Sequence, residues 1–142
     1  MSGSFNGYAT LKNALVVIGG LCTAFLGGWD TALKTLVLFV VLDYLTGVAA
    51  AIVTKTVDSN IGFKGIAKKV LVFVLVGVGY ALDQFMGQDY LRSLIIIFYI
   101  ANEGISIIEN LSRTGVPIPQ AVLNVLNQLK SKAGEGNDDR VQ

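Results

Sequence analysis

Residues 32–53 read ALKTLVLFVVLDYLTGVAAAIV, with one acid, Asp43, at the middle of an otherwise mostly apolar run. A helix needs roughly 20 apolar residues to cross the hydrocarbon core of a bilayer. The stretch therefore predicts a transmembrane helix carrying a carboxylate near mid-depth. An Asp at that position costs roughly 2.5–3.5 kcal/mol on insertion scales. Such a side chain is expected to face another helix or water, not lipid. Thr46, Gly47, Ala50 and Thr54 follow Asp43 at steps of three and four and so share its face. That face is small and polar. The opposite face, with Leu38, Phe39, Leu42 and Leu45, is bulky and expected to meet lipid.

The whole chain agrees with a membrane assignment. Of its 142 residues 53% are hydrophobic and 15% charged, where a soluble domain carries about 25% charged. Mean hydropathy is +0.62. The net charge of +1 gives no attraction to nucleic acid, and no nucleic-acid partner is expected. Histidine is absent, which excludes His-based general-base chemistry and the usual metal sites. The single Cys22 lies in an apolar run and reads as a packing residue. Leu21 precedes it and Lys12 is the only charge before the first run, so neither lipidation nor a cleaved leader is expected. No GxxxxGK[ST] loop occurs, and the pairs Gly19-Gly20 and Gly27-Gly28 sit in apolar sequence. No catalytic set, cofactor or metal follows from these residues, and the chain is not expected to be an enzyme.

Residues 1–12 form a short polar N-terminal segment, expected in the cytoplasm. A first apolar run covers 13–28, in which Gly20, Ala24 and Gly28 recur every four residues. Such a small-residue ridge lets helix backbones approach closely. Trp29 follows at interfacial position. Asp30 and Thr31 are candidate N-caps of the central span, 32–53. Residues 54–65 read as a polar loop. A third run covers 66–86, with Gly77 and Ala81 repeating the four-residue step and Asp83 near its end. A fourth covers 90–108 and turns polar late: Asn102, Glu103, Ser106, Glu109 and Asn110 are candidate members of a polar inner face. Glu109 and Arg113 can pair at i,i+4. Thr114-Gly115-Val116-Pro117-Ile118-Pro119 breaks the helix. Residues 120–132 then carry Val122, Leu123, Leu126 and Leu129 in amphipathic register, as a helix that lies on the membrane or packs on a neighbour. Residues 133–142 are charged and expected to be disordered. Asp43, Thr46, Gly47, Gly77, Ala81 and the ridge Gly20, Ala24, Gly28 are the candidate packing and oligomer contacts.

Orientation follows from the basic residues. Lys12, the group Lys55, Lys64, Lys68 and Lys69, and the group Arg113, Lys130, Lys132 and Arg140 all fall on one side. Cytoplasmic loops carry the Lys and Arg excess. The expectation is an all-α protein with four spans, both termini cytoplasmic, and a C-terminal amphipathic helix. Three spans, with the first run lying at the interface, is the alternative.

Several motifs on this frame carry a resemblance. They are Asp43-Tyr44-Leu45-Thr46-Gly47, Ile61-Gly62-Phe63-Lys64-Gly65 running into Lys68-Lys69, residues 102–110 (NEGISIIEN), and Gly115-Val116-Pro117-Ile118-Pro119. Together they resemble the toxin-secretion/phage-lysis holin family over roughly residues 30–130. The resemblance implies a non-enzymatic protein of the bacterial host cytoplasmic membrane. It implies homo-oligomers in the lipid bilayer that open lesions and release a cell-wall-degrading endolysin or an exported toxin. Many such proteins carry a second start codon near the first; here no Met follows Met1 before Met86. The residues themselves also admit a proton- or cation-coupled transporter or channel with Asp43 as the intramembrane site, or a scaffold for another membrane protein.

Overall fold

The computed structural model describes residues 7–135, and the side chains of all of these except Lys130 and residues 133–135. Residues 1–6 and most of the charged tail lie outside the described part. Five helices follow in order: α1 (Gly7–Phe25), α2 (Thr31–Val53), α3 (Ser59–Met86), α4 (Leu91–Arg113) and α5 (Gln120–Glu135). No strand occurs among the described residues. The first four helices are long and apolar enough to cross a membrane.

The helix ends have local causes. The Asp30 carboxylate accepts the Leu33 N–H at 2.8 Å and starts α2. Asp58 accepts from Asn60 and Ile61 and starts α3. The cap at Asp58 draws Ser59–Gly65, which reads as loop, into α3. That helix begins seven residues before its apolar run. Likewise α1 begins at Gly7, inside the segment that reads as polar, and stops at Phe25. Gly27 and Gly28 then adopt φ +78° and +103°, a left-handed region that glycine reaches without strain. The Gly28 N–H closes back on the Thr23 carbonyl at 2.9 Å. Gly28 therefore belongs to the α1–α2 turn, and the four-residue ridge expected to end there is cut to Gly20 and Ala24.

Packing centres on α4. Helices α2, α3 and α5 each lie against it, whereas α2 and α3 scarcely touch and α1 meets only α3. The apolar core joins Leu33, Leu36 and Val40 of α2, Val72 and Val76 of α3 and Ile96 of α4. Gly79 brings α3 close to α4: a Cβ there would stand 2.5 Å from Ile95 Cδ1. A Cβ at Gly77 would meet the Phe25 ring at 2.1 Å, so the one firm seat of α1 needs this glycine. Gly104 does the same for α5 and α2, facing Leu126 at 2.8 Å and Phe39 at 3.2 Å. Phe39 is thus turned toward α4, not lipid, while Leu38, Leu42 and Leu45 are exposed. The amphipathic α5 packs on a neighbour through Leu126. Helix α1 buries no residue at all. Its exposed leucines and valines are solvated by lipid in a membrane, where helix association rests on close packing rather than on hydrophobic transfer.

Candidate functional site

Charged groups sit in two layers, one at each end of the apolar core. Thirteen residues separate Asp30 from Asp43, fourteen Lys69 from Asp83, and eleven Arg92 from Glu103. At a helix rise of ~1.5 Å per residue the layers are roughly 17–21 Å apart.

At the first layer Arg92 of α4 is buried and reaches across to the α1–α2 turn. Its Nε donates to the Leu26 carbonyl at 2.6 Å, Nη2 to the Gly28 carbonyl at 3.1 Å and Nη1 to Asp30 Oδ2 at 2.6 Å. Asp83 of α3, 2% exposed, accepts the Leu91 and Arg92 backbone N–H groups at 3.0 and 2.9 Å. The α4 N-terminus, whose Tyr90 offers no side-chain cap, is therefore capped by its neighbour. Its free N–H groups and the positive end of the helix dipole favour a carboxylate there. Gly27 has no room for a side chain; a Cβ would stand 2.5 Å from the Tyr80 ring and 2.9 Å from Arg92 Nε. The Arg92 hydrogen bond holds the Asp30 carboxyl below its ordinary value of 3.8.

At the second layer Lys69 of α3 lies between two carboxylates. Its ammonium donates to Asp43 Oδ2 of α2 at 2.6 Å and to Glu103 Oε2 of α4. The other Asp43 oxygen accepts from Asn110 Nδ2 at 3.0 Å, and the same amide lies 3.3 Å from Thr46 Oγ1. A Cβ at Gly47 would sit 3.4 Å from that amide nitrogen; its missing side chain admits Asn110. Three spans thus meet at one lysine. Two grooves flank it. One, of ≈ 620 Å³, opens between α3 and α4; the other, of ≈ 520 Å³, opens on the α2–α3 side. Ser106 lines both and Asn102 the first.

The structure brings together Asp43, Thr46, Gly47, Glu103 and Asn110 from the predicted set, and seats Gly77 against Phe25. Gly20, Ala24 and Ala81 are exposed, and open space surrounds Gly20. Glu109 is exposed and makes no ion pair with Arg113; the three pairs among the described residues are those of Lys69 and Arg92. Sequence reasoning counted Lys69 among the flanking basic residues and gave Arg92 no role, and so missed both organising cations. A signal for Lys69 was present. It precedes the buried Val72 and Val76 by three and seven residues, which places a lysine on the buried stripe and requires an acid opposite it. No group of His, Cys, Asp or Glu among the described residues is arranged to hold a metal.

A bundle of four helices long and apolar enough to cross a membrane, with ion pairs between its elements, defines a multi-pass membrane protein. Its family follows from comparison. A profile of the bacteriophage holin family matches residues 20–131. A probable holin of Bacillus phage phi105 is 35% identical over 112 residues, covering 78% of this chain and 83% of that protein. An uncharacterized 14.9 kDa protein in the nagH 3' region of Clostridium perfringens is 46% identical over 124 residues, covering 86% and 94%. An uncharacterized protein of Listeria monocytogenes is 36% identical over 129 residues, covering 90% and 92%. No solved structure matches. The chain belongs to the bacteriophage holin family, a family of non-enzymatic membrane proteins.

Proposed function

We propose that the protein accumulates in the bacterial cytoplasmic membrane with both termini inside, oligomerises, and opens lesions through which a cell-wall-degrading enzyme or a toxin leaves the cell. The observation that carries this reading is family membership across residues 20–131 of a chain with four membrane-length helices. Helix α1 supports the oligomer: it buries no residue, meets only α3, with Phe25 seated at Gly77, and leaves Gly20 and Ala24 exposed. A second copy can approach that face closely. The transporter reading loses support because both Asp43 oxygens are engaged, by Lys69 and Asn110.

The test is expression beside a muralytic enzyme that lacks an export signal. The expected result is abrupt lysis, with loss of membrane potential alone when the enzyme is omitted. Retention of the enzyme and of the potential at full membrane levels would remove the proposal. Proton-coupled solute uptake in vesicles without passage of a folded protein would favour the transporter. In a variant with Cys22 replaced, Asn60→Cys should resist impermeant thiol reagents on intact cells; labelling there would invert the topology.

A further inference from the structure

We propose that the groove between α3 and α4 is a binding site for one anionic phospholipid. Helix α3 has 28 residues, a length of about 42 Å at 1.5 Å per residue, against roughly 30 Å of hydrocarbon. Its first two turns therefore extend into the headgroup region. Lys64 stands on that segment, and Lys68 follows it one turn further in. Both are exposed, and neither belongs to the ion pairs of the described residues.

The ≈ 620 Å³ groove begins at Lys68 and runs deeper past Leu71 and Leu75, with the Tyr99 ring on the facing helix. Leu71 and Leu75 are 63% and 40% exposed and offer an acyl chain a continuous apolar wall. Asn102 and Ser106 line the groove on α4 and can donate to phosphate oxygens. The groove is polar at headgroup depth and apolar toward the membrane centre, in the order a phospholipid presents its parts. Its volume falls in the usual range of roughly 300–1,000 Å³ for small-molecule sites.

The charge count agrees. Within the groove lining Asp43 and Glu103 balance Lys68 and Lys69; Lys64, exposed one turn before Lys68 and outside the lining, adds one positive charge beside the mouth. The two acids are already engaged with Lys69, so Lys68 and Lys64 remain to meet an anion. Basic pockets between spanning helices are recurrent sites for anionic lipid headgroups. At Gly65, between the two lysines, nothing lies within 4 Å of where a Cβ would stand; the groove mouth is open there.

Electron spin resonance of the full chain reconstituted in phosphatidylcholine vesicles tests this, with spin-labelled phosphatidylglycerol and phosphatidylcholine as probes. A lysine near an anionic surface contributes about fivefold in affinity. With two lysines the wild type should hold phosphatidylglycerol roughly 25-fold more tightly than phosphatidylcholine at low salt. Lys64→Gln with Lys68→Gln should bring the ratio near one, and the Lys→Arg pair should retain it. Gly65→Trp keeps both lysines and fills the groove mouth; it should also abolish the preference, with helix content and oligomer size unchanged. Equal affinity for the two lipids in the wild type would overturn the proposal. So would a preference that survives Gly65→Trp, which would mean surface charge rather than a groove, or one that survives loss of both lysines.

Discussion

The two charged layers use similar residues to different ends. At the Arg92 layer one guanidinium is spent on two backbone carbonyls and a half-exposed carboxylate, and Asp83 is spent on backbone N–H groups. Those bonds fix turns. At the Lys69 layer one ammonium meets two carboxylates from two other spans, and α3 is flanked by grooves on both sides. Those bonds fix helices to one another. The apolar core fills the interval between the layers, with Leu33 and Ile96 nearer Arg92 and Val40 and Val72 nearer Lys69; the layers differ in that Lys69 faces two largely buried carboxylates, whereas Asp30 is half exposed. Removing a charge should therefore cost more at the Lys69 layer.

The largest effect is expected from Lys69→Met. It leaves two buried carboxylates facing each other without a cation, a change that costs about 3–5 kcal/mol when one partner of a buried pair is lost. Thermal unfolding in detergent and membrane abundance should both fall sharply. A wild-type melting profile would show that α3 is held by other contacts.

Arg92→Leu comes next, at about 1–3 kcal/mol, because Asp30 stays solvated when its partner is gone. The expected signature is faster proteolysis or labelling around the α1–α2 turn with the α2–α4 pair intact. If the Arg92 variant proves worse than the Lys69 variant, the ranking of the layers is reversed. Asp83→Ala should cost about 0.5–2 kcal/mol, the usual loss for a helix cap, and should appear as fraying of the α4 start in amide exchange. Unchanged exchange at Leu91 and Arg92 would show that the cap is dispensable.

The smallest effect concerns pH. The Asp30 carboxyl is held below 3.8 by Arg92. Its contribution is fully present above that ordinary value and is lost as pH falls through the lowered one. Because the side chain is 49% exposed, solvent screens the pair. Wild type should lose slightly more stability than Asp30→Asn between pH 5 and 2; parallel curves would show no linkage at Asp30.

Much of this fold was legible in the sequence. Four apolar runs of near-membrane length and one amphipathic segment gave five helices, and the cost of Asp43 in hydrocarbon required a polar partner. The identity of the partner was not read from loop charges. Lys69 begins an apolar run beside Lys68, and a count of loop charges cannot separate the lysine that turns inward from the one that turns out; only the register of Lys69 with Val72 and Val76 does so. Arg92 was hidden for the same reason, and Asp83 because it caps a helix other than its own. The Gly28 step was misleading, since a four-residue spacing holds only while the helix continues, and α1 ends at Phe25. Glu109 shares the polar composition of its neighbours but not their buried side.

The Asp43–Lys69–Glu103 cluster joins three spans, and a charge swap between Asp43 and Lys69 probes that junction. Asp43→Lys and Lys69→Asp should each be strongly destabilised in detergent, the first by placing two lysines together and the second by gathering three acids. The double variant restores two acids and one lysine across the same three helices. It should recover more than half of the lost Tm and the timing of membrane-potential loss. A double variant no better than the worse single one would contradict the account.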